Sequence, residues 1–237
     1  MPAETKSKKP ERASFSASRE HENRTPSAVG SRSEEIEVDV MIQGISPLQM
    51  HRFSDAALAQ MQMGTSKVMA GEKPSPAVAA EAVGYFDADG KPYLPNENIF
   101  QCLVGAGQHI KYGKSKLTTA KTSKIPAIID IEEDRVMVMR RNEVNGGFTH
   151  ANWEPQCFTP TNAMGGKTAS WRPVFFEWYI PFVMKIDTAS MDLTTARHLV
   201  DCAGKWEGLG PQRPARKGRY GRFVVCQWNP KPNLGSL

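Results

Sequence analysis

Between Gly204 and Phe223 the chain sets five glycines around a cluster of cations. Gly204, Gly208, Gly210, Gly218 and Gly221 frame Arg213, Arg216, Lys217 and Arg219, with Arg222 just beyond. Arginine offers a planar fork of donors that matches phosphate oxygens. Glycine tolerates positive φ and lets another backbone come close. No Asp or Glu follows Glu207, so nothing later in the chain neutralises the group. Such a stretch suits the holding of a phosphate backbone. It equally suits a solvated basic loop between a helix and an edge strand.

A second acid-free run lies between Glu97 and Asp130 and holds Lys111, Lys114, Lys116, Lys121 and Lys124. A lysine run is ordinarily a solvated face, so this locus gains meaning only beside the first. The net charge of +5 over 237 residues permits an anionic partner without requiring one. With 40% hydrophobic and 23% charged residues the chain can build a real core.

Other chemistries find little support. Cys102, Cys157, Cys202 and Cys226 are far apart with no CxxC pair, against a zinc site or a disulfide framework; Cys102 and Cys202 sit in apolar helical patterns as buried thiols. Asp87-Ala88-Asp89-Gly90 begins like a calcium loop, but Asn98 stands where the bidentate Glu belongs. Met164 to Thr168 imitates a phosphate loop, with Thr161 in place of its leading glycine. No metal and no cofactor is expected. The absence of an apolar leader or membrane-length stretch points to a cytoplasmic protein without membrane contact.

The elements that must position these loops follow from periodicity. Met1 to about Glu35 is rich in Ser, Pro, Lys, Arg and Glu and is expected to be a disordered tail. A single domain, 36–237, follows, with insertions at about 44–84 and 142–170, the second glycine-rich and irregular. Ile36 to Gln43 alternates as a half-buried strand. Ser54 or Asp55 caps a short helix, and residues 77–83 suit another. Asp89-Gly90 turns a hairpin. Asn96 caps a helix to about Tyr112, followed by a strand pair at 125–131 and 135–140 with Val136 and Val138 inward. Trp171 to Ile186 reads as one long strand bent at Pro181. Asp192 caps a helix to about Ala203 with Leu193, Ala196, Leu199 and Val200 inward, and residues 220–228 close the fold as a strand. The order is βαββαβ, an α+β class with a ferredoxin-like or RRM-like antiparallel sheet. Such a sheet can leave one face to a ligand, often single-stranded nucleic acid.

Three segments resemble the RAMP superfamily, the repeat-associated proteins that form the backbone of CRISPR effector complexes. They are the opening strand with its Gly44-Ile45-Ser46-Pro47-Leu48 turn, the approach Asp87-Ala88-Asp89-Gly90-Lys91-Pro92-Tyr93-Leu94-Pro95 to a helix with small residues, and the glycine-rich loop before the last strand. Asn96-Glu97-Asn98 replaces the small residues usual after that approach, and the loop's spacer runs from Pro211 to Lys217 before Gly218 and Gly221. The layout is also similar to uncharacterised phage and prophage proteins whose ends read GlG.wRP…GryGrF.

The resemblance implies a protein that binds the sugar-phosphate backbone of single-stranded RNA, or DNA, without base specificity, and that self-associates along the strand or with partner subunits in a bacterial host cell. It places Arg213, Arg216, Lys217, Arg219 and Arg222 at phosphates, with Gly208, Gly210, Gly218 and Gly221 shaping the loop, the five lysines as a second locus, and Arg52 near the bound strand. Trp153, Phe158 and Trp171 are candidate base-stacking residues. Some RAMP relatives cleave RNA with a His or Asp near the first strand; His51 and Asp55 are the only candidates here, and spacing alone does not make the chain an enzyme. Two alternatives stay open: a metal-independent ribonuclease using His51, and a phage structural or assembly subunit whose basic loop meets an acidic protein.

Overall fold

Alternation over Ile36 to Gln43 does what period 2 requires: Val38, Val40 and Ile42 are buried, while Glu37, Asp39, Met41 and Gln43 are only partly covered. The computed structural model describes residues 35–62, 74–159 and 169–231, all within one compact unit, Ser33–Leu237. The expected disordered tail, Glu35 excepted, and the Met164 to Thr168 segment lie outside the described residues.

The elements run in order as β1 (Glu35–Gly44), β2 (Leu48–Gln49), α1 (Asp55–Gln62), α2 (Pro76–Glu81), β3 (Tyr93–Pro95) and α3 (Asn96–Ala106). The short strands β4 (Lys111–Tyr112), β5 (Ser115–Lys116), β6 (Ile129–Ile131), β7 (Arg135–Met137), β8 (Met139–Arg141) and β9 (Phe148–His150) follow. The chain continues through β10 (Glu154–Phe158), β11 (Ser170–Phe175), β12 (Tyr179–Asp187), α4 (Leu193–Cys202) and β13 (Phe223–Pro230). The class is α+β with antiparallel sheets.

The main sheet orders its strands β13-β1-β12, with β6 and then β8 and β9 beyond β12, every pairing antiparallel. α3 lies between β1 and β6 in the chain and α4 between β12 and β13. Buried Ile99, Cys102, Leu103 and Ala106 of α3, and Ala196, Leu199 and Val200 of α4, share one core with Val38, Val40, Ile42, Ile180, Phe182, Met184 and Ile186 of the sheet. Burying each large aliphatic there is worth roughly 1.5–3 kcal/mol. Asp192 caps α4 as expected, accepting from the Thr195 amide at 2.8 Å. Ser54 caps α1, accepting from the Ala57 amide at 3.3 Å.

Four expectations need correction. The apolar run from Trp171 to Ile186 is two strands in different sheets: β11 joins β10 and β2, and the chain breaks at Phe176-Glu177-Trp178 before β12 enters the main sheet. Trp178 fills the break, fully buried, its indole Nε1 donating to the Ser46 carbonyl at 2.9 Å. Pro181 needs no bend. Alternate amides of β12 point away from β1, and there Val183 donates to the Glu133 carboxylate at 3.0 Å because β6 pairs only from Met184 onward and β8 only at Tyr179. Pro181 therefore sits where no partner asks for its missing N–H.

The strand pair at 125–140 divides too: β6 pairs β12, whereas β7 pairs β3 in a separate sheet. α3 begins at Asn96 behind Pro95 with no side-chain cap, and stops at Ala106 rather than near Tyr112. A turn of 3₁₀ helix at 107–109 follows, since Thr118 lies against Gly107 and its amide donates to the Gly107 carbonyl at 3.1 Å. Lastly, the insertion at 142–170 carries β9 and β10 rather than irregular chain in its described part.

Candidate nucleic-acid interface

The loop after α4 is held from inside. The helix widens into a π turn over Ala203–Glu207, and the Cys102 thiol on α3 donates to the Gly208 carbonyl at 3.3 Å. Burial, and then the Glu207 carboxylate, push that thiol well above its ordinary pKa, so it serves as a packed donor and not a nucleophile. Leu209 is buried among the core residues. Its amide donates to the Gly221 carbonyl at 2.9 Å, and the Gly221 amide donates to the Pro47 carbonyl at 2.8 Å. The loop is thus pinned to the turn after β1, where Arg222 also joins: its amide donates to Ser46 Oγ at 2.9 Å and its carbonyl accepts from Ile45 at 2.8 Å.

Two glycines are dictated by this closure. Gly221 has φ +66° and Gly210 φ +81°. A Cβ on Gly221 would strike the Leu209 carbonyl, and one on Gly210 the Gln49 carbonyl. Gly208 and Gly218 pack against Pro214 and the Gln212 backbone in the same way.

With its base fixed, the loop turns its cations outward. Arg216, Lys217, Arg219 and Arg222 are exposed, and Lys217 takes a left-handed φ of +61°. Arg213 differs: it is half-buried, and its Nη1 donates to the Gly210 carbonyl at 2.9 Å, bracing the loop. Glu207, the nearest acid in sequence, faces away; it lies against Gly105 of α3, and its Oε1 is 3.7 Å from His109 Nε2.

The lysine locus is the β4–β5 hairpin and the loop after it. Lys111, Lys114, Lys116, Lys121 and Lys124 are all exposed, with Lys124 over the Tyr112 ring at 4.4 Å. Among the described residues, none of Arg216, Lys217, Arg219, Arg222 or these five lysines forms an ion pair. Carboxylates are paired elsewhere: Glu37 and Asp39 hold Lys231 at 3.2 and 3.0 Å, and Glu132 holds Lys185 at 3.7 Å. These pairs lie on the strands of the main sheet and beside them.

His51 and Arg52 follow β2. The Arg52 Nε donates to the Gly84 carbonyl at 2.7 Å and its amide to the Val83 carbonyl at 2.8 Å, which tethers the turn to the end of α2. His51 is exposed, yet partial desolvation, and then the Arg172 guanidinium, hold its pKa below the ordinary value. Arg172, only 8% exposed, donates to Gln49 Oε1 and to Ser170 Oγ, each at 3.2 Å. Asp55 is the first residue of α1; its side chain lies outside the described ones. Of the expected stacking residues, Phe158 meets Tyr220 edge-on with ring centroids 6.0 Å apart, which brings β10 to the loop. Trp153 packs on Phe86 at 5.4 Å, and Trp171 is partly buried on β11. Phe223 is the inward member of the pair Tyr220 and Phe223.

Sequence reasoning passed over Trp206, which is 50% exposed and stacked on His109 at 5.6 Å with an interplanar angle of 29°. Its signal was present as an aromatic between Lys205 and Glu207 at the head of the glycine loop.

No family model matches the chain, and no curated protein matches it. Among solved structures, it is similar to a chain in the cryo-EM structure of the Type III-B Cmr-beta bound to cognate target RNA, at 12% identity and a TM-score of 0.40, over 83% of this chain and 60% of that one. The chain spans about three fifths of that neighbour's length. Among the described residues no helix is long and apolar enough to cross a membrane.

Proposed function

We propose that this chain binds the sugar-phosphate backbone of single-stranded nucleic acid, RNA ahead of DNA, without reading base sequence, using the loop from Gly204 to Phe223 on a ferredoxin-like, RAMP-like fold. The strand order with two crossing helices supports that fold: β1 and β12 are central, β13 flanks β1 and β6 flanks β12. One observation carries the function. Arg216, Lys217, Arg219 and Arg222 stand exposed, without ion-pair partners among the described residues, on a loop whose base is locked by buried Leu209 and two positive-φ glycines. A rigid loop loses little entropy on binding, and unpaired guanidinium groups gain charge-assisted hydrogen bonds to phosphate. The lysines of the β4–β5 hairpin extend the footprint, and side-by-side assembly along a strand belongs to the same reading.

The test is titration of a fluorescent uridine oligomer with the protein and with the R216A/K217A/R219A variant. Binding by the wild type and loss of it in a folded variant are expected. Unchanged binding by the variant overturns the role of the loop. A wild type that binds an acidic protein partner while ignoring every oligomer overturns the reading entirely.

A further inference from the structure

Tryptophan is rarely left in water, and of the five tryptophans here only Trp206 is exposed. Its ring is held at a fixed angle. One contact is the imidazole of His109 at 5.6 Å; a second is Lys205 Nζ, 5.0 Å from the ring centroid. Beside His109 lies Glu207, whose carboxylate is 3.7 Å from Nε2 and packs against Gly105, where an added Cβ would come within 2.6 Å of its Cδ.

The position of Trp206 gives the bracing a purpose. Two residues beyond His109 the chain enters the lysine hairpin at Lys111. Two residues beyond Trp206 comes Gly208, which packs on Pro214 and Arg213 of the arginine loop. The stack therefore stands where the chain enters both cationic loci, two residues before each.

We propose that Trp206, braced by His109, is a base-stacking platform for single-stranded nucleic acid, the only described tryptophan exposed enough to receive a nucleobase at the proposed interface. The inference rests on the backbone-binding reading and adds to it a contact with the bases. Stacking accepts any base because every base has a π face, and alanine substitution typically removes the equivalent of 1–3 kcal/mol per base. The charged surroundings fit a polyanion better than an apolar protein segment.

Two oligomers of equal length separate the contributions: a uridine oligomer and an abasic ribose-phosphate oligomer, which keeps the charge and lacks the bases. W206A is expected to weaken uridine-oligomer binding by about fivefold to about 150-fold and to leave the abasic oligomer within about twofold, while W206F keeps most of the affinity. A light-activated 5-iodouridine oligomer is expected to crosslink to the peptide carrying Trp206. Equal loss on both oligomers, or no loss on either, overturns the platform while leaving phosphate binding in place. Should the wild type bind neither oligomer, backbone binding and platform fall together.

Discussion

The Leu209 amide donates to the Gly221 carbonyl at 2.9 Å, so the two arms of the arginine loop meet at a backbone bond. That bond makes the loop a closed structure with a buried base instead of a flexible basic strand. It also makes the shape of the loop depend on Gly221, where an added Cβ would meet the Leu209 backbone.

Replacing Gly221 by Ala is therefore expected to cost far more than the backbone term alone. An L-residue at φ +66° loses about 1–2 kcal/mol, and the new Cβ also meets the Leu209 carbonyl. Gly113 is the control: its φ is +60° with nothing within 4 Å of an added Cβ. Thermal melting should fall by a few degrees in G113A and by at least twice that in G221A. Equal shifts would mean that the loop opens to make room and is not closed in the way described.

Arg213 and Arg216 are neighbours in sequence with different work. R213A removes the bond to the Gly210 carbonyl and should lower stability by about 1 kcal/mol as well as weakening binding. R216A, which removes an exposed side chain without an ion pair among the described residues, should leave stability within about 0.5 kcal/mol and weaken binding alone. Denaturant unfolding beside oligomer titration distinguishes the two, and matching profiles would refute the assignment.

The pH dependence of stability should carry a mark from His51. Burial and Arg172 lower its pKa in the folded chain, so the unfolded chain binds the proton more readily, and stability must fall as pH drops below about 6.5. The loss continues until the lowered folded pKa is passed. In H51Q the fall between neutral pH and pH 5 should be shallower. A variant that tracks the wild type through that window would show that the imidazole is as free in the fold as outside it.

Much of the skeleton was legible in the residues because alternation and capping are local. β1, the Asp192 cap and the inward face of α4 need only a few neighbouring positions to declare themselves. The break between β11 and β12 was hidden because Trp171 to Ile186 is mostly apolar, with a single acid, Glu177, at the break, and two strands in different sheets look like one until Trp178 is seen under Ser46. The early end of α3 was hidden for a related reason: apolar spacing runs on to Ile110, and only the approach of Thr118 to Gly107 stops the helix.

For the interface, charge and glycine spacing marked the loop. Which cations face outward depended on contacts far away in sequence. Arg213 turns in because Gly210 presents its carbonyl, and Trp206 stands out because a π turn carries Glu207 onto Gly105. Neither relation has a local signature.

The central claim is tested most directly by the salt dependence of oligomer binding. Each phosphate contact to a single strand contributes about −0.7 to the slope of log K against log salt. Titrating a uridine oligomer across a salt series, the wild type should give a steep slope, and R216A/K217A/R219A one shallower by about two units, since three contacts are removed. A wild-type slope near zero, or a variant slope equal to the wild type's, would contradict the assignment of the loop as the element that grips the phosphate backbone.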